Sequence, residues 1–95
     1  DKVSAEEAVQ MGMIYKALSD DTFETEVNDL ALRLSQMPTY AIGLTKRALN
    51  ASLYNNLDTQ LKLEDELQTL AGGSADYKEG VDAFLEKRKP VFSGR

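Results

Sequence analysis

Across residues 57–71 the apolar side chains fall on two faces of one helix, Leu57 with Leu61 on one and Leu63, Leu67 and Leu70 on the other. A surface helix of a small domain needs a single apolar stripe. Two stripes demand two partners, so the segment predicts a helix that is enclosed or that meets another subunit. Asn55-Asn56 before it and Gly72-Gly73 after it are residues suited to helix ends.

The flanking sequence resolves into further helices by the same signals. Ser4-Ala5-Glu6-Glu7 matches a capping box and predicts a short helix to Met11, stopped by Gly12. Residues 13–18 form a brief apolar run, either a strand or an extended connection. Asp20 and Asp21 offer N-caps for a second helix, with Phe23, Val27, Leu30, Ala31 and Leu34 as its buried stripe. Pro38 breaks the chain before a third helix, from Thr39 to about Leu53, with Leu44, Ala48 and Leu49 facing inward. Ser74 caps a fifth, in which Asp76 and Glu79 lie near the positive end of the dipole. On that helix Tyr77, Val81, Phe84, Leu85 and Arg88 share one face, and Gly80 interrupts it, a sign of close packing or a bend. The fold class is therefore all-α, about five helices with one short extended segment, in a single domain of residues 1–95.

Composition removes several functions. With 16 acidic residues against 11 basic ones, the net charge of -5 disfavours nucleic acid as a partner. Neither Cys nor His is present, which excludes thiol nucleophiles, Ser-His triads and the usual zinc sites. No metal site and no catalytic constellation is expected. No apolar run is long enough to span a membrane, and Asp1-Lys2 does not open a signal peptide, so a cytoplasmic location is the expectation. The chain lacks an initiator Met and starts on a helix signal, which reads as a piece of something longer.

One local feature invites a ligand. Lys87-Arg88-Lys89 closes the fifth helix and is shut off by Pro90. Two readings stay open: an anion site, or a solvated cluster that offsets the helix dipole. Glu64, Asp65 and Glu66 point in divergent directions, 100° apart, and read as a solvated face rather than paired catalytic carboxylates. Met11 and Met13 read as core filler.

The last 22 residues, SADYKEGVDAFLEKRKPVFSGR, resemble the C-terminal tail of the crotonase superfamily, the enoyl-CoA hydratases and isomerases, of the type EGxxAFxEKRxPxFxG. The likeness extends to the opening KVSAEEAVQMGMIYKAL and to LALRLSQMPTYAIGLTKRALN. The stretch LDTQLKLEDELQTLAGGSADYKEG is similar to one subgroup, the ring-epoxide isomerases of phenylacetate breakdown.

This resemblance implies the helical, trimer-forming C-terminal region of a crotonase fold without its ββα spiral core. The family uses two core amides as an oxyanion hole that stabilises an enolate of the acyl-CoA thioester, so the chain alone is expected to be inactive. By the resemblance, Phe84 and Lys87 contact coenzyme A, the ring near adenine and the ammonium near phosphate, while residues 91–95 pack on the protein surface. The implied partners are an acyl-CoA substrate and further copies of the chain, as a trimer or hexamer. No covalently bound cofactor, nucleic acid or membrane is implied. The alternative is a stand-alone helical acyl-CoA-binding or protein-interaction module. An acyl carrier protein is excluded, because no Asp-Ser-Leu occurs to hold phosphopantetheine.

Overall fold

Side-chain caps mark where three of the helices begin. A computed structural model describes residues 2–95, and Asp1, read above with Lys2 as no opening for a signal peptide, lies outside the described residues. The helices are α1 (Ala5–Gln10), α2 (Asp20–Ser35), α3 (Thr39–Ser52), α4 (Leu57–Gly72) and α5 (Ala75–Glu86). Ser4 Oγ accepts from the Glu7 amide at 3.2 Å while the Glu7 carboxylate accepts from the Ser4 amide at 2.9 Å, the reciprocal box that the sequence predicts. Asn56 Oδ1 accepts from the Thr59 amide at 2.9 Å, and Ser74 Oγ from the Tyr77 amide at 3.0 Å.

The second helix corrects one expectation. It starts at Asp20 itself, so Asp20 and Asp21 occupy its first turn instead of capping it. The Ser19 carbonyl receives the Thr22 and Phe23 amides, and Ser19 Oγ meets Thr22 Oγ1 at 3.1 Å. With Ser19 available one residue upstream, both carboxylates stay where the dipole favours negative charge.

The chain divides into a unit ending at Ala31 and a unit of Leu32–Arg95. In the first, Gly12 takes φ +72°, the left-handed value that lets the backbone leave α1. Residues 13–18 that follow are irregular, and no strand occurs among the described residues. Lys16 Nζ pairs with Glu26 at 2.6 Å and ties this connection to α2. Phe23, Val27, Met11 and Met13 are all exposed. The two methionines are therefore not core here, and of the α2 stripe only Leu30 is half-buried.

In the second unit α3 packs on α4, and α4 on α5. Leu44, Leu67 and Ala83 are its buried apolar residues. Gln60 fastens the α3–α4 corner: its Nε2 donates to the Ala48 carbonyl at 3.1 Å, and its Oε1 accepts from Asn55 Nδ2 at 3.1 Å. Leu49, expected inward, is 62% exposed. Five residues turn a helix through 500°, so Leu49 lies 140° from the buried Leu44.

The two faces of α4 separate as their spacing requires. Leu67 is 5% exposed against its neighbours, whereas Leu57 is 73% exposed and Leu61 also faces solvent. Leu63 is half-buried and Leu70 exposed, so the Leu63–Leu67–Leu70 stripe is covered only in part within the unit and the Leu57–Leu61 stripe is open.

Candidate functional site

On α5 the inward face is not the apolar one. Asp76 and Ala83, seven residues apart and so on one face, are buried, while Tyr77, Val81, Phe84 and Leu85 are all exposed. The face that Tyr77, Val81, Phe84 and Leu85 share is thus turned to solvent. The Asp76 side of α5 is covered by the C-terminal tail, which folds back along the helix.

Four hydrogen bonds join that tail to Asp76. Asp76, 2% exposed, accepts from the Ser93 amide at 2.6 Å, Ser93 Oγ at 3.3 Å and the Gly94 amide at 2.9 Å. The Asp76 amide donates to the Arg95 carbonyl at 3.0 Å. The Phe92 ring lies on Gly80, 3.7 Å from where a Cβ would stand, so this glycine marks close packing. Gly94 has φ +77°, and a Cβ there would come within 2.7 Å of Thr39 Oγ1, so no other residue fits without movement. The expectation that residues 91–95 pack on the protein surface holds, and that surface is α5.

At the other end of α5 the chain reverses through a left-handed residue. Lys87 has φ 55° and ψ 38°. The Arg88 amide donates to the Ala83 carbonyl at 3.0 Å and the Lys87 amide to the Phe84 carbonyl at 3.3 Å. This is a Schellman motif with lysine in the position that glycine usually fills.

The three cations that follow α5 do not act alike. Arg88 donates from Nη1 and Nη2 to the two Glu79 oxygens at 2.6 and 2.9 Å, and from Nε to Glu86 at 2.6 Å. Glu79 also accepts from the Val91 amide at 2.8 Å. Lys87 and Lys89 have no carboxylate within ion-pair distance among the described residues. The basic cluster lies past the helix, whose last turn carries no cation. Lys87 stands directly at the negative end of α5 with no carboxylate partner among the described residues, an arrangement that suits either of the two readings left open.

The Arg88 side chain, and after it the Val91 amide, lower the Glu79 pKa from 4.5 to about 2. A carboxylate whose folded value lies below its unfolded one stabilises the fold above the unfolded value and loses that contribution as pH falls. The clasp is therefore expected at full strength above about pH 5 and to weaken between pH 4.5 and 2. A carboxyl NMR titration of Glu79 checks this; a midpoint near 4.5 would show the clasp absent in solution.

Beside this turn an apolar groove of about 390 Å³ opens, lined by Pro38, Ala41, Tyr77, Val81, Phe84 and Phe92 among others. Phe84, 83% exposed, stands at its rim, three residues before Lys87. The structure thus brings the two sequence-predicted site residues to one end of α5. It gives Glu64, Asp65 and Glu66 an exposed face, as expected. The sequence reading missed Asp76 and Glu79 as anchors. The available signal was the short tail after Pro90, in which Ser93 and Gly94 supply amides that need acceptors.

The sequence matches the family described as enoyl-CoA hydratase/isomerase over residues 1–95. It is 49% identical over 94 residues to 1,2-epoxyphenylacetyl-CoA isomerase of Escherichia coli (strain K12), covering 99% of this chain and 36% of that protein. To a protein of Rhodobacter capsulatus named "Probable enoyl-CoA hydratase" it is 47% identical over 95 residues, 100% of this chain and 37% of that one. A crystal structure of an enoyl-CoA hydratase from Geobacillus kaustophilus superimposes with a TM-score of 0.91 at 30% identity, over 100% of this chain and 36% of the other. The chain thus spans 36–37% of the length of these relatives.

Proposed function

The chain belongs to the enoyl-CoA hydratase/isomerase family, and from that premise we propose that residues 1–95 serve as the C-terminal helical domain of an enzyme acting on acyl-CoA thioesters. In this reading it supplies subunit contacts and a cover for coenzyme A, while the oxyanion-hole amides that stabilise the enolate lie in the spiral core. The observation that carries it is the exposed Phe84 ring lining an apolar groove, three residues before Lys87, which has no ion-pair partner among the described residues. An exposed ring suits stacking on adenine, and an ammonium suits a phosphate as a point charge.

The open Leu57–Leu61 face of α4 supports self-association as a trimer or hexamer, since contiguous apolar surface of this kind is normally covered. It weighs against a finished monomeric binding module. Likeness to a 1,2-epoxyphenylacetyl-CoA isomerase supports a ring-epoxide thioester of phenylacetate breakdown as substrate, ahead of the enoyl-CoA of fatty-acid catabolism.

Calorimetric titration of the intact natural protein with coenzyme A tests the site. Lys87→Ala is expected to weaken binding roughly tenfold, the worth of one charge-assisted hydrogen bond. Phe84→Ala is expected to cost roughly fivefold to tenfold through lost stacking. Dephospho-coenzyme A, which lacks the 3′-phosphate, identifies which phosphate Lys87 meets. Unchanged affinity in both variants would overturn the reading.

A further inference from the structure

Lys87 is flanked by residues that bond to one another across the turn. As the left-handed link in the turn it is held on one side by Glu86, which accepts from Arg88 Nε, and on the other by Arg88 and Val91, which Glu79 grips together. The Glu79 side chain is mostly buried, 24% exposed. It accepts three hydrogen bonds from the segment directly after Lys87, at 2.6, 2.9 and 2.8 Å. Two effects follow. The left-handed reversal at Lys87 is fixed by the Glu79 carboxylate, which reaches the Arg88 side chain nine residues on and the Val91 backbone amide twelve residues on, and Arg88 is neutralised, so it does not compete with Lys87 for an anion.

We infer that Glu79 is a positioning residue for the coenzyme A phosphate contact, acting through Arg88 and the Val91 amide to hold Lys87 in its left-handed turn. The inference rests on the coenzyme A reading of Lys87. A flexible ammonium that must be ordered on binding loses affinity to that ordering, and a preset turn removes the loss.

A double-mutant cycle on the intact natural protein, titrated with coenzyme A, tests this. Glu79→Gln preserves shape and removes the charge. It is expected to weaken binding by about threefold to tenfold with Lys87 present and by less than about twofold in the Lys87→Ala background. A purely structural role would give the same loss in both backgrounds. If Glu79→Gln fails to fold, Arg88→Lys, which keeps the charge but gives up the two-pronged grip, takes its place under the same criteria. Loss with Lys87→Ala together with an unchanged or equally affected Glu79→Gln overturns this inference alone. An unaffected Lys87→Ala overturns the coenzyme A reading and this inference with it.

Discussion

The 95 residues on their own are expected to turn over no enoyl-CoA. Catalysis of this chemistry requires donors aimed at the developing enolate oxygen, and each such donor is worth about 10²–10³ in rate. The carboxylates available here are committed or solvated: Asp76 to the tail amides, Glu79 to Arg88, and Glu64, Asp65 and Glu66 to an exposed helix face. No His or Cys exists to replace them. Loss of the crotonyl-CoA absorbance with time, followed for the purified chain beside the intact natural protein, measures this. The expected trace for the chain is that of buffer. A hydration rate that scales with chain concentration and persists through a second purification would sink the reading of this chain as a cover without reacting groups.

Asp76→Ala is expected to free the C-terminal tail. The substitution leaves the Ser93 and Gly94 amides without an acceptor and opens a space beneath them. Bonds to a charged acceptor are each worth about 1.5–3 kcal/mol, and part of that returns when the released amides meet water. The net effect on tail opening is about 2–3 kcal/mol, a roughly 30- to 150-fold loss of amide protection. Hydrogen exchange read at Ser93 and Gly94 measures it directly, because local opening sets the rate there. Asp76→Asn keeps one acceptor and the same shape, so it is expected to cost less. Unchanged exchange in Asp76→Ala would mean that Phe92 on Gly80 and the turn at Lys87 hold the tail without the carboxylate.

The second result bears on function through this strap. A tail that detaches as far as Val91 gives up the Val91 amide on Glu79 as well as Ser93 on Asp76, and so removes one of the bonds that hold the turn at Lys87. The aromatic groove beside Phe84 loses Phe92 from its lining in the same event.

Helix positions were legible because their signals are local. Ser4, Asn56 and Ser74 each satisfy an amide three residues on, a contact that needs no other part of the chain, and Gly12 announces its left-handed backbone by having no side chain. The two stripes of α4 were legible by period alone, whereas Phe84 and Lys87 were paired by the family resemblance.

What tertiary structure alone decided is which face each helix turns inward. Periodicity identified the apolar stripe of α5, yet the structure buries the opposite side, since Asp76 meets donors seventeen and eighteen residues away. A carboxylate in a first helical turn looks the same in sequence whether water or a buried amide completes it. Arg88 likewise reads as one of three free cations until Glu79 is found across the turn. Caps and periods are set by neighbours along the chain and so are written in it; burial and ion pairing depend on which distant segment arrives, and that the sequence by itself left open.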